Sequence, residues 1–305
     1  VGVALITARR EEPDTSHTFQ FLSCSDRRGV EAKERVLLDS QRFTSEAQVI
    51  RQHGVLRKGE STKFVVESAL PQGLTASSRK VCDRAHVVVG LQTSDDRRFV
   101  RYVWSVPPDK TRWLVHGKGG GYERWYGLNR YVLDWGEGRP IFERDPKSGL
   151  NVERWFSEAG WTYTWFANGA LGLRRKERGW SFGRAASSAL FCEDSRLPGF
   201  LNTRVASLAV RRLGGKAQLP EGIVRALPLP ESLEGIDPRF TEVAVDLKRA
   251  VVEQEITDAT FRPADIFDPL LVLRAQALLL VVEGELERQV LECLKMSEGE
   301  RRSLD

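Results

Sequence analysis

Lys118-Gly119-Gly120-Gly121-Tyr122-Glu123-Arg124-Trp125-Tyr126-Gly127-Leu128-Asn129-Arg130-Tyr131-Val132-Leu133-Asp134-Trp135 is the stretch that decides the reading of this 305-residue chain. Aromatic and β-branched residues interrupted by glycine turns predict short strands. The arginines between the rings supply cations that pair with phosphate and planar groups that stack on bases. All eight tryptophans fall between Trp104 and Trp180, so this chemistry is concentrated in mid-chain. The pattern favours a nucleic-acid reader over a catalyst.

Working outward, the run Val87-Val88-Val89, closed by Gly90, and the stretch Phe99 to Trp104 read as strands that open a β-rich domain. Turns at Pro107-Pro108-Asp109-Lys110 and at the 119–121 glycines separate further strands up to about Phe191. The apolar period then changes. Phe200, Leu201, Val205, Leu208, Ala209 and Leu213 fall on one face of a helix of about four turns starting near Pro198. Leu227-Pro228-Leu229-Pro230 reads as an extended boundary. Asp237 caps a helix with Pro238 at its first position, and a last helix runs from about Pro269 to Lys295. The latter is apolar almost all round in its first half, which predicts burial. The expectation is a mixed α+β chain: a connector over 1–85, a recognition domain over 86–230 and a helical segment over 231–305.

Charge is balanced, 46 basic against 42 acidic residues, so net charge alone names no partner. Cys24, Cys82, Cys192 and Cys293 are scattered, without zinc or disulfide spacing, and read as free thiols of a cytoplasmic protein. The apolar run Leu270 to Val282 contains Arg274 and is shorter than the roughly 20 residues a bilayer span needs, so no membrane partner is expected. The opening Val1 to Ile6 is too short for a signal segment. The chain begins without Met on residues that look like the middle of a strand, which reads as a piece of a longer protein.

Several chemistries fit poorly. Gly117-Lys118-Gly119-Gly120-Gly121 lacks the Ser/Thr and the helix that a nucleotide phosphate loop requires, leaving a plain turn or a loop along a nucleic-acid backbone. The basic run Arg174 to Arg184 is either a solvated face or a DNA contact. Glu31-Ala32-Lys33 with Asp26 is a weak nuclease signature, and His17, His53, His86 and His116 lack ligand spacing. No glycine-rich strand-to-helix turn for a cofactor is present.

In order along the chain, Gly90 to Arg101, Lys118-Gly119-Gly120, Trp125-Tyr126-Gly127-Leu128-Asn129 and Val132-Leu133-Asp134-Trp135 resemble the region that follows the catalytic domain in large adenine-specific DNA methyltransferases. The similarity is greatest to PglX-like enzymes of BREX phage-defence systems and extends to type IIG restriction-modification fusions. Gly160-Trp161-Thr162-Tyr163, Gly179-Trp180-Ser181-Phe182, Gly199 to Ala206, Leu227 to Pro230 and Val282 to Arg302 continue it, so it covers about residues 86 to 305. Leu128 stands where the family commonly has Asn, and the triplet Leu294-Lys295-Met296 departs from its usual ending.

The resemblance implies a target-recognition domain for double-stranded DNA. An upstream domain, outside this sequence, would carry S-adenosylmethionine and the Asn-Pro-Pro-aromatic catalytic motif; no cofactor and no catalytic residue are expected within it. Phosphate contacts are assigned to Lys118, Arg124, Arg130, Arg175 and Lys176. Base contacts are assigned to Tyr122, Trp125, Tyr126, Asn129, Asn168 and Arg174. Trp135, Trp155 and Trp161 are expected in the core. Two other readings stay open: a protein-interaction module of a defence complex that meets other defence proteins, and a specificity subunit acting in trans.

Overall fold

The computed structural model describes residues 70–167, 170–184, 187–213, 218–262, 268–302 and 304, together with 18–21, 31 and 48–51. The chain divides into two compact units, Val1–Val66 and Glu67–Asp305. In the first, strands β1 (Thr18–Phe21) and β2 (Gln48–Arg51) pair antiparallel with Thr18 opposite Arg51. His17, Cys24, Asp26, Ala32, Lys33 and His53 lie outside the described residues.

The second unit is built on two four-stranded sheets. β3 (His86–Val88), β10 (Ser187–Phe191), β7 (Gly160–Thr164) and β8 (Arg174–Lys176) lie side by side in that order, all antiparallel. The other sheet has the order β4 (Val100–Tyr102), β6 (Tyr131–Asp134), β5 (Trp113–Gly117), β9 (Ser181–Phe182), its last pair parallel. Neighbouring residues of the two sheets meet at Gly90, where an added Cβ would lie 2.3 Å from the Gly183 carbonyl oxygen; only glycine permits that approach. Phe99, Leu133, Phe142, Phe156, Phe182 and Phe191 fill a core between strands and helix, joined at its margin by Trp135 and Trp155. This is the α+β class the sequence predicts.

Helices α1 (Gln72–Thr75), α2 (Asp96–Phe99) and α3 (Trp135–Arg144) decorate the sheets, and α4 (Arg196–Leu201), α5 (Arg204–Arg212) and α6 (Glu221–Arg225) follow them. The single helix expected from Pro198 to Leu213 is two. Asn202 breaks it by pairing its side chain with the Leu173 backbone, accepting from its N–H at 2.7 Å and donating to its carbonyl at 3.1 Å. Thr203 then caps α5. The long helices α7 (Pro238–Val252) and α8 (Pro269–Cys293), closed by α9 (Glu298–Arg302), begin as expected at Asp237-Pro238 and Asp268-Pro269.

Expected domain limits and compact units differ. Val81 donates to the Leu227 carbonyl and Leu229 to that of Arg79, sewing the end of the expected connector to the expected exit. Trp125, Trp161, Phe200, Val245, Leu286 and Val290 belong to one core, which joins the helical segment 231–305 to the sheets. The first half of α8 also departs from expectation. Leu270, Leu271, Leu273, Leu278, Leu280 and Val281 are exposed, Leu280 by 70%. Its opposite stripe, Ala275, Val282, Leu286 and Val290, is buried. Apolar composition all round the helix gave no means of telling which face is covered.

Candidate nucleic-acid interface

The central motif turns half of its side chains inward. Trp125 is buried at a φ of +72°, a left-handed conformation that disfavours residues with a Cβ. It is held there by three hydrogen bonds. Its N–H donates to the Leu173 carbonyl (2.7 Å), its carbonyl accepts from the Arg175 N–H (2.8 Å), and its indole Nε1 donates to Glu283 Oε1 of α8 (2.6 Å). Tyr126 is buried under the Arg249 guanidinium, 4.9 Å above its ring, and burial pushes its hydroxyl up to about 12. Asn129 is buried with its backbone N–H and its Nδ2 donating to Asp258 at 3.0 and 3.2 Å.

The basic run behaves alike. Arg174 is buried, donates to Thr164 Oγ1 (2.9 Å), and is lowered to about 10 by desolvation. Lys176 is 1% exposed and donates to the carbonyls of Glu158, Phe156 and Glu177 at 2.7, 3.1 and 3.2 Å; burial lowers its ammonium to about 7. A side chain buried in the interior cannot reach a phosphate or a base edge. Trp125, Tyr126, Asn129, Arg174 and Lys176 are therefore framework residues, a correction to the expected contact set.

Three cations of that set are partly exposed but paired. Lys118 bonds Asp96, Arg124 bonds Glu283 Oε2 (2.7 Å) and the Asn202 carbonyl (2.9 Å), and Arg175 reaches Glu242 (3.4 Å) while lying 5.1 Å from the Trp161 ring centre. Trp161 itself is core, as expected. Tyr122 and Arg130 are exposed, and Asn168 lies outside the described residues.

One group of outward side chains gathers at one end of the second sheet. β4 and β5 both run antiparallel to β6, with Tyr102 opposite Tyr131 and Val115 opposite Val132. The ends of β4 and β5 and the start of β6 therefore coincide. Tyr102 stacks on Trp104 (4.5 Å, 14°) and on Tyr131 (5.1 Å, 26°). Tyr102 and Trp104 remain 46% and 52% exposed. Arg130 precedes Tyr131, and its carbonyl accepts from Val103, tying the two strand ends together. Arg97, also exposed, lies just before β4, and among the described residues neither it nor Arg130 has an ion-pair partner.

The glycine loop leaves the end of β5 at this edge. Gly119, Gly120 and Gly121 have φ of +81°, +111° and +133°, and a Cβ on Gly120 or Gly121 would meet nothing within 4 Å. The loop is thus open to solvent, with its lysine charge answered by Asp96. Tyr102, Trp104 and Tyr131 escaped the sequence reading. Tyr102-x-Trp104 at alternate positions was the available signal, but the register that stacks Tyr131 on Tyr102 comes from pairing across about thirty residues of chain.

No family model and no curated protein matches this chain. Among the described residues no helix is long and apolar enough to cross a membrane, and no cluster of His, Cys, Asp and Glu could hold a metal ion.

Proposed function

We propose that this chain contacts DNA through the aromatic step Trp104–Tyr102–Tyr131 and the neighbouring Arg130. The observation that carries the proposal is the exposure of Tyr102 and Trp104, stacked on each other and, through Tyr102, on the half-buried Tyr131, beside an arginine without an ion-pair partner among the described residues. Large rings left in water cost free energy unless a partner covers them. A stacked step offers a π-face to a base displaced from its helix or a wedge to a deformed base step. Arg130 supplies the phosphate contact and the open glycine loop supplies backbone N–H groups.

The resemblance of residues 86 to 305 gives this contact its setting. The chain would serve as the target-recognition part of an S-adenosylmethionine-dependent N6-adenine DNA methyltransferase of a phage-defence system, holding the duplex while the upstream domain methylates a flipped adenine. The test is fluorescence anisotropy of a labelled duplex titrated with the chain from about 50 to 200 mM salt. The proposal expects affinity to fall steeply with salt and Arg130→Ala to reduce the slope by about one unit. No binding at low salt, or a slope indifferent to Arg130, contradicts it.

One observation favours a second reading, a protein-docking module. The open face of α8 carries six large aliphatic side chains, on the order of 600 Å² and at the upper end of what monomers leave uncovered. Glutamate at Leu273 and Leu280 would abolish protein association under this reading and leave DNA binding intact.

A further inference from the structure

The cleft along the free edge of β3 is separate from the aromatic step, and it has its own chemistry. It has a volume of about 440 Å³ and is lined by His86, Val87, Asn151, Arg154, Trp155 and Arg225 among others, with no carboxylate in its wall. A space of that size lies in the range of small-molecule sites.

Among the described residues neither lining arginine has an ion-pair partner, and Arg225 is fixed in place. Arg225 of α6 donates from Nε to the Val87 carbonyl at 3.2 Å. Glu221, one turn earlier on that helix, is within pairing distance by spacing but accepts from Ser188 Oγ at 2.7 Å instead. Arg154 sits 5.3 Å from the Trp155 ring centre. The carboxylate beside it in the chain, Glu153, bonds Arg139 at 3.0 Å. Arg154 and Arg225 thus bring to one concave wall two arginines without ion pairs among the described residues, an arrangement that suits an anion.

The same wall carries two aromatic side chains. Trp155 is stacked on Phe191 (4.5 Å, 25°), and the exposed His86 lies 5.4 Å from it at 44°. Cationic fork and aromatic wall side by side match a ligand with a phosphate at one end and a flat heterocycle at the other.

We infer that the β3 cleft binds a nucleoside phosphate, its phosphate between Arg154 and Arg225 and its base against the Trp155 and His86 rings. The phosphate has two sources, a free mononucleotide or a nucleotide of a DNA strand. Calorimetric titration of the full chain with adenosine monophosphate, with adenosine and with a short single strand separates them.

The inference expects the mononucleotide or the strand to bind, and adenosine to bind at least about tenfold more weakly. Arg154→Gln should weaken whichever phosphate ligand binds by about tenfold, and Arg154→Lys should restore part of the loss. Arg154 is exposed, so an unchanged melting temperature will show that the variant folds. Binding of the mononucleotide alone identifies a free-nucleotide site, and binding of the strand alone assigns the phosphate to nucleic acid. Either supports the inference. No heat from either up to about 10 mM, or equal affinity in wild type and Arg154→Gln, overturns it. The mononucleotide arm is independent of the aromatic step, because Arg130→Ala should leave adenosine monophosphate affinity unchanged, and strand binding is assigned to the cleft only where Arg154→Gln weakens it.

Discussion

Glu283 joins the long helix α8 to the centre of the sequence motif, and its removal gives a direct measure of how far that motif is framework. One carboxylate oxygen takes the Trp125 indole N–H at 2.6 Å and the other takes Arg124 at 2.7 Å. Glu283→Ala would leave a buried indole donor without a partner, a loss of about 1 to 3 kcal/mol. It would also leave Arg124 with only the Asn202 carbonyl, and breaking a largely enclosed ion pair from one side costs about 3 kcal/mol or more. These costs overlap, because one substitution relaxes both groups, so about 3 kcal/mol is the expected total. In a unit of this size each kcal/mol moves the melting temperature by roughly 2 to 4 °C, giving a fall of about 6 to 12 °C. Glu283→Gln keeps an acceptor for the indole and should lose about half as much. The assay is thermal and urea unfolding of the full chain, read by tryptophan fluorescence. A loss under about 1 kcal/mol for Glu283→Ala, or a duplex affinity raised by it, would refute the assignment of Trp125 and Arg124 to the framework.

The remaining expectations concern groups that the fold buries or leaves open. Lys176 has its folded-state pKa lowered from 10.5 to about 7, so the folded chain binds fewer protons than the unfolded one between those values and stability rises with pH there. Relative to Lys176→Met, the wild type should gain about 2 kcal/mol between pH 7 and pH 9 in urea unfolding, and a flat difference would mean the ammonium stays charged in its carbonyl cage. Asp258→Ala leaves the Asn129 N–H and Nδ2 and the Thr260 N–H without their acceptor, so a loss of about 2 to 4 kcal/mol is expected by denaturant titration, with DNA affinity falling as Arg130 loses its support. Leu273→Glu with Leu280→Glu on the open face of α8 should change stability by less than about 0.5 kcal/mol while reducing self-association and hydrophobic-dye binding by light scattering and fluorescence.

The features visible in the sequence are the ones that local chemistry decides. Asp237-Pro238 and Asp268-Pro269 start their helices because a carboxylate cap and an N-terminal proline act within one turn. The glycines at 119–121 turn the chain because their φ angles exclude other residues. The direction of each side chain was another matter. Trp125 and Asn129 face inward because of Glu283 and Asp258, 158 and 129 residues away, and no local pattern carries those partners. Arg174 and Lys176 occupy buried positions of β8, where their charges are met by a threonine hydroxyl and backbone carbonyls rather than by acids that a charge pattern would reveal. Tyr102 and Tyr131 meet only through strand register. The helix break at Asn202 was hidden for the same reason, since its cause is the Leu173 backbone on a distant segment.

The central claim is that DNA meets the outward step at Trp104 while Trp125 belongs to the interior. Fluorine NMR of the chain labelled with 5-fluorotryptophan, with the two resonances assigned by Trp104→Phe and Trp125→Phe, tests it most directly. Addition of duplex DNA should shift or broaden the Trp104 signal and leave that of Trp125 in place. A shift at Trp125 with Trp104 unmoved, or binding that moves neither, would contradict the account.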